Sequence, residues 1–158
     1  MELGNRKYRG FEIVVPYHRK YPSVEIQLPQ RGTSRAMAYD FFSPVDIVLQ
    51  PGEKKLIFTD VKAYMQDGEA LIINPRSSMG KVDITLANTQ GWVDADYYSN
   101  KGNDGNIGIF LKNNGDKPFE IKIGDRIAQG IIQTYGRTED DQSFGKRDGG
   151  FGSTGVEG

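Results

Sequence analysis

Short runs of alternating apolar and polar residues, cut every few positions by Gly, Pro or an Asn/Asp-Gly pair, constrain this chain more than any other feature. Alternation is the period of a strand, whose successive side chains face opposite sides. Phe11–Val15, Val24–Leu28, Val45–Leu49, Leu56–Met65, Glu69–Asn74, Val82–Leu86, Asn106–Leu111, Phe119–Ile123 and Ile127–Thr134 all read as strands. Pro29, Gln50-Pro51-Gly52, Asp67-Gly68, Pro75 and Asn113–Asp116 separate them, and Asp67-Gly68 favours a hairpin. Many short strands with turn chemistry between them predict an all-β barrel or sandwich. A single short helical stretch is expected around Arg76–Lys81.

The 158 residues suit one domain with a core that needs no staples. The pattern stops at Tyr135. Residues 136–158 (GRTEDDQSFGKRDGGFGSTGVEG) are polar and Gly-rich and cannot form a core strand. The chain therefore divides into a β domain over 1–135 and a flexible arm over 136–158.

Composition limits the chemistry. No cysteine removes disulfides, thiolate metal sites and a cysteine nucleophile. One histidine, His18, removes His-rich zinc sites and makes Ser-His catalysis hard to build. A metal would have to be a hard ion held by oxygen, such as Mg²⁺. Twenty Lys and Arg against 21 Asp and Glu leave a net charge of −1, not the basic excess of a nucleic-acid-coating protein. No apolar run approaches the roughly 18 residues of a membrane span, and the N-terminus lacks signal-peptide features. A cytoplasmic protein that binds neither nucleic acid nor membrane is expected.

Five clusters carry candidate chemistry. In Lys146–Gly155, two cations precede glycines that let backbone N–H groups crowd an anion. Ser153 and Thr154 add hydroxyls and Phe151 a flat face. A phosphate and an aromatic ring would satisfy all of these, although a soluble tail is the plainer reading of such composition. In GWVDADYY (91–98), an extended backbone would put Asp94 and Asp96 on one face, able to hold a hydrated metal or activate water. A solvated turn is the commoner case. Asn88 could read a base edge or simply form a turn. PRSSMG (75–80) places Arg76, Ser77 and Ser78 where a phosphate could meet a helix start. In GDRIAQ (124–129), Asp125 and Arg126 suit a turn with a structural ion pair. Asp40 is a lone acid between aromatics in AYDF (38–41). His18, Trp92, Tyr17 and Tyr21 build no site.

Taken in order, LPQRGTSRAMAYDFFS (28–43), PRSSMG (75–80), GWVDADYY (91–98), GDRIAQGII (124–132) and GGFGSTG (149–155) resemble the five motifs of the trimeric dUTPases. The form here is similar to those of Gram-positive bacteria and their phages. The resemblance implies a distorted jelly-roll or β-barrel and a homotrimer with shared active sites. It also implies Mg²⁺-dependent hydrolysis of dUTP to dUMP and pyrophosphate. Such an activity keeps uracil out of DNA and supplies dUMP for thymidylate synthesis.

Carried over to this chain, Asp94 matches the general base that activates water for attack on the α-phosphorus. Asp40 matches the acid that contacts the metal through water. Arg76, Ser77, Ser78 and Gln129 match phosphate binders, with Ser78 standing where Gly is usual. Arg126 matches an Arg that is as much architectural as ligand-binding. Asn88, with backbone near Gly91 and Gly108 in a hairpin, matches the reader of the uracil edge. Cytosine would leave polar groups there unpaired. Tyr97 matches the residue packed under deoxyribose, where a 2′-hydroxyl would clash. Phe151, Gly152, Ser153 and Thr154 match the arm that stacks on the base and meets the terminal phosphates.

Three departures stand out. Ala36-Met37-Ala38 replaces Ser-Ala-Gly. Lys146 aligns with the arm's usual Arg, and Arg147 is preferred for the γ-phosphate because guanidinium binds bidentately. Tyr98–Gly105 is longer than the usual turn, as if the hairpin were extended near the site mouth. That insertion also motivates an alternative, a dUTP-gated module that binds a regulatory protein. Deamination of dCTP on the related fold is a third reading.

Overall fold

The computed structural model describes residues 7–147 and 149–151. Its strands are β1 (Gly10–Ile13), β2 (Gln30–Arg31), β3 (Tyr39–Phe42), β4 (Ile47–Leu49), β5 (Lys54–Phe58), β6 (Val61–Tyr64), β7 (Glu69–Asn74), β8 (Ile84–Leu86), β9 (Gly91–Asp94), β10 (Gly108–Asn113), β11 (Phe119–Ile121) and β12 (Arg126–Thr134). All pairings are antiparallel. The largest sheet has the order β2-β3-β12-β7-β9. It faces the β5-β10-β8 sheet and two ribbons, β1-β6 and β11-β4.

The core lies between the inner faces of these sheets. Phe41, Leu71, Ile73 and Ala128 come from the large sheet. They meet Ile57, Ile84, Leu86, Ile109 and Leu111 of the three-stranded sheet and Leu49 and Ile121 of a ribbon. Burying such side chains is worth roughly 1.5–3 kcal/mol each and drives the sheets together. This is the jelly-roll arrangement. No sheet closes into a barrel among the described residues.

Several expected strands change character. Leu56–Met65 is not one strand. At Asp60 the backbone turns left-handed (φ 57°) and hands the chain from β5 to β6, in a different sheet. The buried Asp60 carboxylate accepts from the backbone N–H groups of Lys20 and Tyr21 and from the Asn106 side chain, which fixes this corner. Asp67-Gly68 forms a turn, with Gly68 at φ 82°, but not a hairpin. β6 pairs with β1, whereas β7 pairs with β12 and β9. Val24–Leu28 forms no strand. Arg19 Nη2 donates to the carbonyls of Tyr21 and Val24 and holds a turn there. Beyond it the segment has alternating exposure but no partner strand among the described residues. Short strands β2, β3 and β9 arise where no strand was expected.

The expected helical stretch is a 3₁₀ helix over Ser77–Val82, ended by Asp83 in the left-handed region (φ 55°). The insertion Tyr98–Gly105 does not extend a hairpin, because β9 and β10 lie in different sheets. It folds back as a compact loop with Asn100 and Asp104 buried. Asp104 accepts from Lys62 Nζ and from the Val15 N–H, both at 2.8 Å, tying the loop to β6 and the N-terminal segment. Residues 136–147 and 149–151 contain neither strand nor helix.

Candidate active site

The residues singled out in the sequence fall into two groups on the protomer. The first lines a cleft of about 300 Å³, where β9 and the start of β10 approach each other. Asn88, Gly91, Asp94, Tyr97, Gly108, Arg147 and Phe151 all contribute to it. Gly91 and Gly108 open the two strands and leave bare backbone on facing walls. A Cβ at Gly91 would stand 3.0 Å from Cβ of Ile73, and one at Gly108 would stand 2.8 Å from Leu56 Cδ1. Asn88 is exposed in the turn that follows β8, where Thr89 adopts φ 69°. It is thus both a turn residue and a cleft residue.

Asp94 and Asp96 do not share an extended backbone. Asp94 ends β9, and Ala95–Tyr97 is a 3₁₀ turn. Their carboxylates are brought together instead by Arg147. Its Nη2 donates to Asp94 and its Nε to Asp96 at 2.9 Å. The guanidinium also stands 5.7 Å from the Tyr97 ring centroid, and its side chain is only 9% exposed. Phe151 packs edge-on against Phe58, with centroids 6.1 Å apart. Arg147 and Phe151 of the arm therefore close over the cleft of their own chain. Lys146 is exposed and does not line the cleft.

Tyr97 is buried. Its hydroxyl donates to the Asn106 carbonyl and accepts from Asn103 Nδ2, both at 2.7 Å. Burial pushes the phenol above its usual range, while the Asn103 bond and the Arg147 charge act the other way.

The second group gathers at the β3–β12 part of the large sheet, on the face that also carries Trp92 and Asp94. Asp40 on β3 lies opposite Gln129 on β12, and Arg76 follows β7. Arg76 Nε donates to Asp40 Oδ1 at 3.0 Å, and Arg126 Nη1 lies 3.7 Å from Asp40 Oδ2. Arg126 thus pairs with Asp40 rather than with its neighbour Asp125, whose carboxylate accepts from the Lys122 N–H in the turn. Gln129 Nε2 donates to the Pro75 carbonyl at 3.2 Å, and Ser77 and Ser78 are exposed. None of this second group lines the cleft. Gly152, Ser153 and Thr154 lie outside the described residues.

Among the cleft residues that sequence reasoning missed are Gln90 and Trp92. Gln90 Nε2 donates to Asn74 Oδ1 at 2.8 Å and bridges the cleft to the end of β7. Trp92 is 70% exposed and shares the outer face of β9 with Asp94. Counting back two residues from Asp94 would have found it.

For a metal, the donor set fits contact through water only. No three His, Asp or Glu side chains converge among the described residues. The Asp40 carboxylate already faces two guanidinium groups, and Mg²⁺ retains its waters readily.

The dUTPase family model matches residues 24–155. A deoxyuridine 5′-triphosphate nucleotidohydrolase of Lactococcus lactis is 40% identical over 153 residues, covering 95% of this chain and 99% of its own. The mouse protein of that name is 38% identical over 134 residues, covering 80% of this chain and 77% of its own. Among solved structures, the dUTPase from Streptococcus mutans has a TM-score of 0.72 at 34% identity, covering 82% of this chain and 98% of its own. The dUTPase from phage phi11 of S. aureus shares the fold, with a TM-score of 0.68 at 22% identity over 87% of this chain and 96% of its own. A match that runs through both the cleft and the Asp40–Arg76 cluster, in sequence and in fold, places this chain in the dUTPase family.

Proposed function

We propose that this chain hydrolyses dUTP to dUMP and pyrophosphate. The observation that carries the reading is the meeting of Asp94, Tyr97, Asn88, Arg147 and Phe151 around one nucleoside-sized cleft. The uracil edge pairs with Asn88 and the backbone near Gly91 and Gly108. Deoxyribose packs on Tyr97, and Phe151 covers the base. Cytosine presents its donors and acceptors exchanged, so it would leave buried polar groups unpaired.

Asp94 takes a proton from a water molecule. The oxygen of that water bonds to the α-phosphorus in line, and the bond from that phosphorus to the bridging oxygen breaks. Pyrophosphate carries away the electron pair. Arg147 rests on two carboxylates in the free chain. It exchanges them for the terminal phosphate, which frees Asp94 to act as a base and keeps the guanidinium in a bidentate pairing. Asp40 is the residue that would hold a Mg²⁺ ion through water, and the ion would supply charge neutralisation on the triphosphate.

The triphosphate also needs Arg76, Ser77, Ser78 and Gln129, which stand apart from the cleft of their own protomer. A homotrimer in which each cleft receives this second group from a neighbour meets that need. The arm over 136–158 functions as a separate closing unit, with Gly152, Ser153 and Thr154 on the phosphates.

The test is release of pyrophosphate and of ammonia from dUTP and dCTP, each with Mg²⁺. Pyrophosphate and dUMP from dUTP, with no ammonia from dCTP, is the expected result. Ammonia from dCTP would reassign the site to deamination.

A further inference from the structure

Thr59, Asp60 and Asn106 lie in none of the five motifs, yet they hold one wall of the cleft from behind. Asn106 and Ile107 lead into Gly108 at the start of β10, and Ile107 and Gly108 both line the cleft. The corner between β5 and β6 grips these two residues. The Thr59 N–H and hydroxyl both donate to the Ile107 carbonyl at 2.9 Å, and the Ile107 N–H donates to the Val61 carbonyl at 2.9 Å. The Asp60 N–H donates to Asn106 Oδ1, and Asn106 Nδ2 donates back to Asp60 Oδ1, each at 2.9 Å. The Asn106 amide orientation is therefore dictated from both ends. Its main-chain carbonyl accepts the Tyr97 hydroxyl at 2.7 Å.

Asp60 and Asn106 are fully buried. Asp60 holds a left-handed backbone, φ 57°, which a non-glycine residue keeps only where its surroundings dictate it. Those surroundings include the N-terminal segment. The Asp60 carboxylate accepts from the Lys20 and Tyr21 N–H groups at 2.8 Å, and Arg19 Nε lies 3.4 Å from it. Residues 19–21 precede residue 24, where the family match begins.

We propose that Asp60 is a positioning residue of the cleft, acting through Asn106 on the Tyr97 hydroxyl and the Gly108 backbone, with segment 19–21 as its brace. This rests on the reading of Tyr97 and Gly108 as sugar and base contacts. Asp60 touches no substrate. It sets where the floor under the nucleoside stands, while Arg76 and Gln129 serve the phosphates elsewhere. A loosened corner weakens the hold on the nucleoside end.

The experiment measures dUMP affinity and sites per chain by calorimetry, with KM for dUTP and the melting temperature, in the wild type, Asp60→Asn and Arg19→Ala. Asp60→Asn keeps the shape and tolerates the left-handed backbone, but places an NH₂ group against N–H donors. It should weaken dUMP binding about tenfold, as for one lost buried hydrogen bond, and raise KM for dUTP by a similar factor, with the number of sites unchanged. Arg19→Ala removes the brace and nothing that lines the cleft, and should weaken dUMP binding about threefold. A merely structural Asp60 lowers the melting temperature and the fraction of chains that bind, but leaves the dUMP affinity of the folded chains unchanged. That result would overturn the proposal. Should Asp60→Asn fail to fold, Arg19→Ala decides, and an unchanged dUMP affinity there overturns it. A wild-type chain that binds no dUMP and leaves dUTP intact fails the reading of the cleft instead, and is seen separately.

Discussion

Asp94 ends β9 with its side chain 63% exposed and a guanidinium against it, so it is both accessible to water and reserved by Arg147. A carboxamide has nearly the same shape and no basicity. Asp94→Asn should therefore lower dUTP turnover at least about 100-fold, with affinity for dUTP retained. Rapid-quench assays give the rate, and Trp92 fluorescence reports binding because Trp92 lines the cleft. Full turnover in this variant would move the base elsewhere. Tyr97 makes a second residue-scale prediction. Burial raises its folded-state pKa above the ordinary 10.0, so the folded chain favours the neutral phenol. That contribution is complete below pH 10 and is lost as the pH climbs from there through the folded pKa. Melting temperature should fall over this range, and less steeply in Tyr97→Phe. Asp94, Tyr97 and Arg147 were each singled out in the sequence, and the structure brings all three to one cleft. The sequence was not legible where contact depends on a turn: the Asp94–Asp96 pairing is made by Arg147, from more than fifty residues away.

Strands bounded by turn residues and built on strict alternation were easiest to read. Glu69–Asn74 is β7 as expected, and Ile127–Thr134 is nearly all of β12. Failures have one physical cause. Alternation says that a segment can be extended, while its partner decides whether it becomes a strand. Val24–Leu28 has no partner among the described residues, and β9 and β10 belong to separate sheets in spite of their hairpin-like sequence. The insertion was visible as extra length, but its compactness was not, because it depends on Lys62 and Val15 meeting Asp104. Lys62 and Asp104 are both buried, so removing one partner leaves an uncompensated charge. Asp104→Ala should cost about 3–5 kcal/mol in chemical denaturation. A loss well under 1 kcal/mol would mean that the loop is held by other contacts.

On one protomer the residues proposed for the site fall into two groups. Asp94, Tyr97 and Asn88 line the cleft, whereas Asp40, Arg76 and Gln129 gather near β3 and β12, a few strands away in the large sheet. The order of motifs along the chain could not show this, because sequence order carries no information about which chain a residue serves. The central claim is that a complete site needs both halves and takes them from different subunits. Subunit mixing tests it most directly. Asp94→Asn and Arg76→Ala chains are assayed alone, then co-refolded in equal amounts and assayed again. Each variant alone should be nearly inactive. In a cyclic trimer, a cleft with a wild-type Asp94 from one chain and a wild-type Arg76 from its neighbour forms about one time in four. Recovery of about a quarter of wild-type dUTP turnover is the predicted result. A mixture no more active than its two components would contradict the shared site.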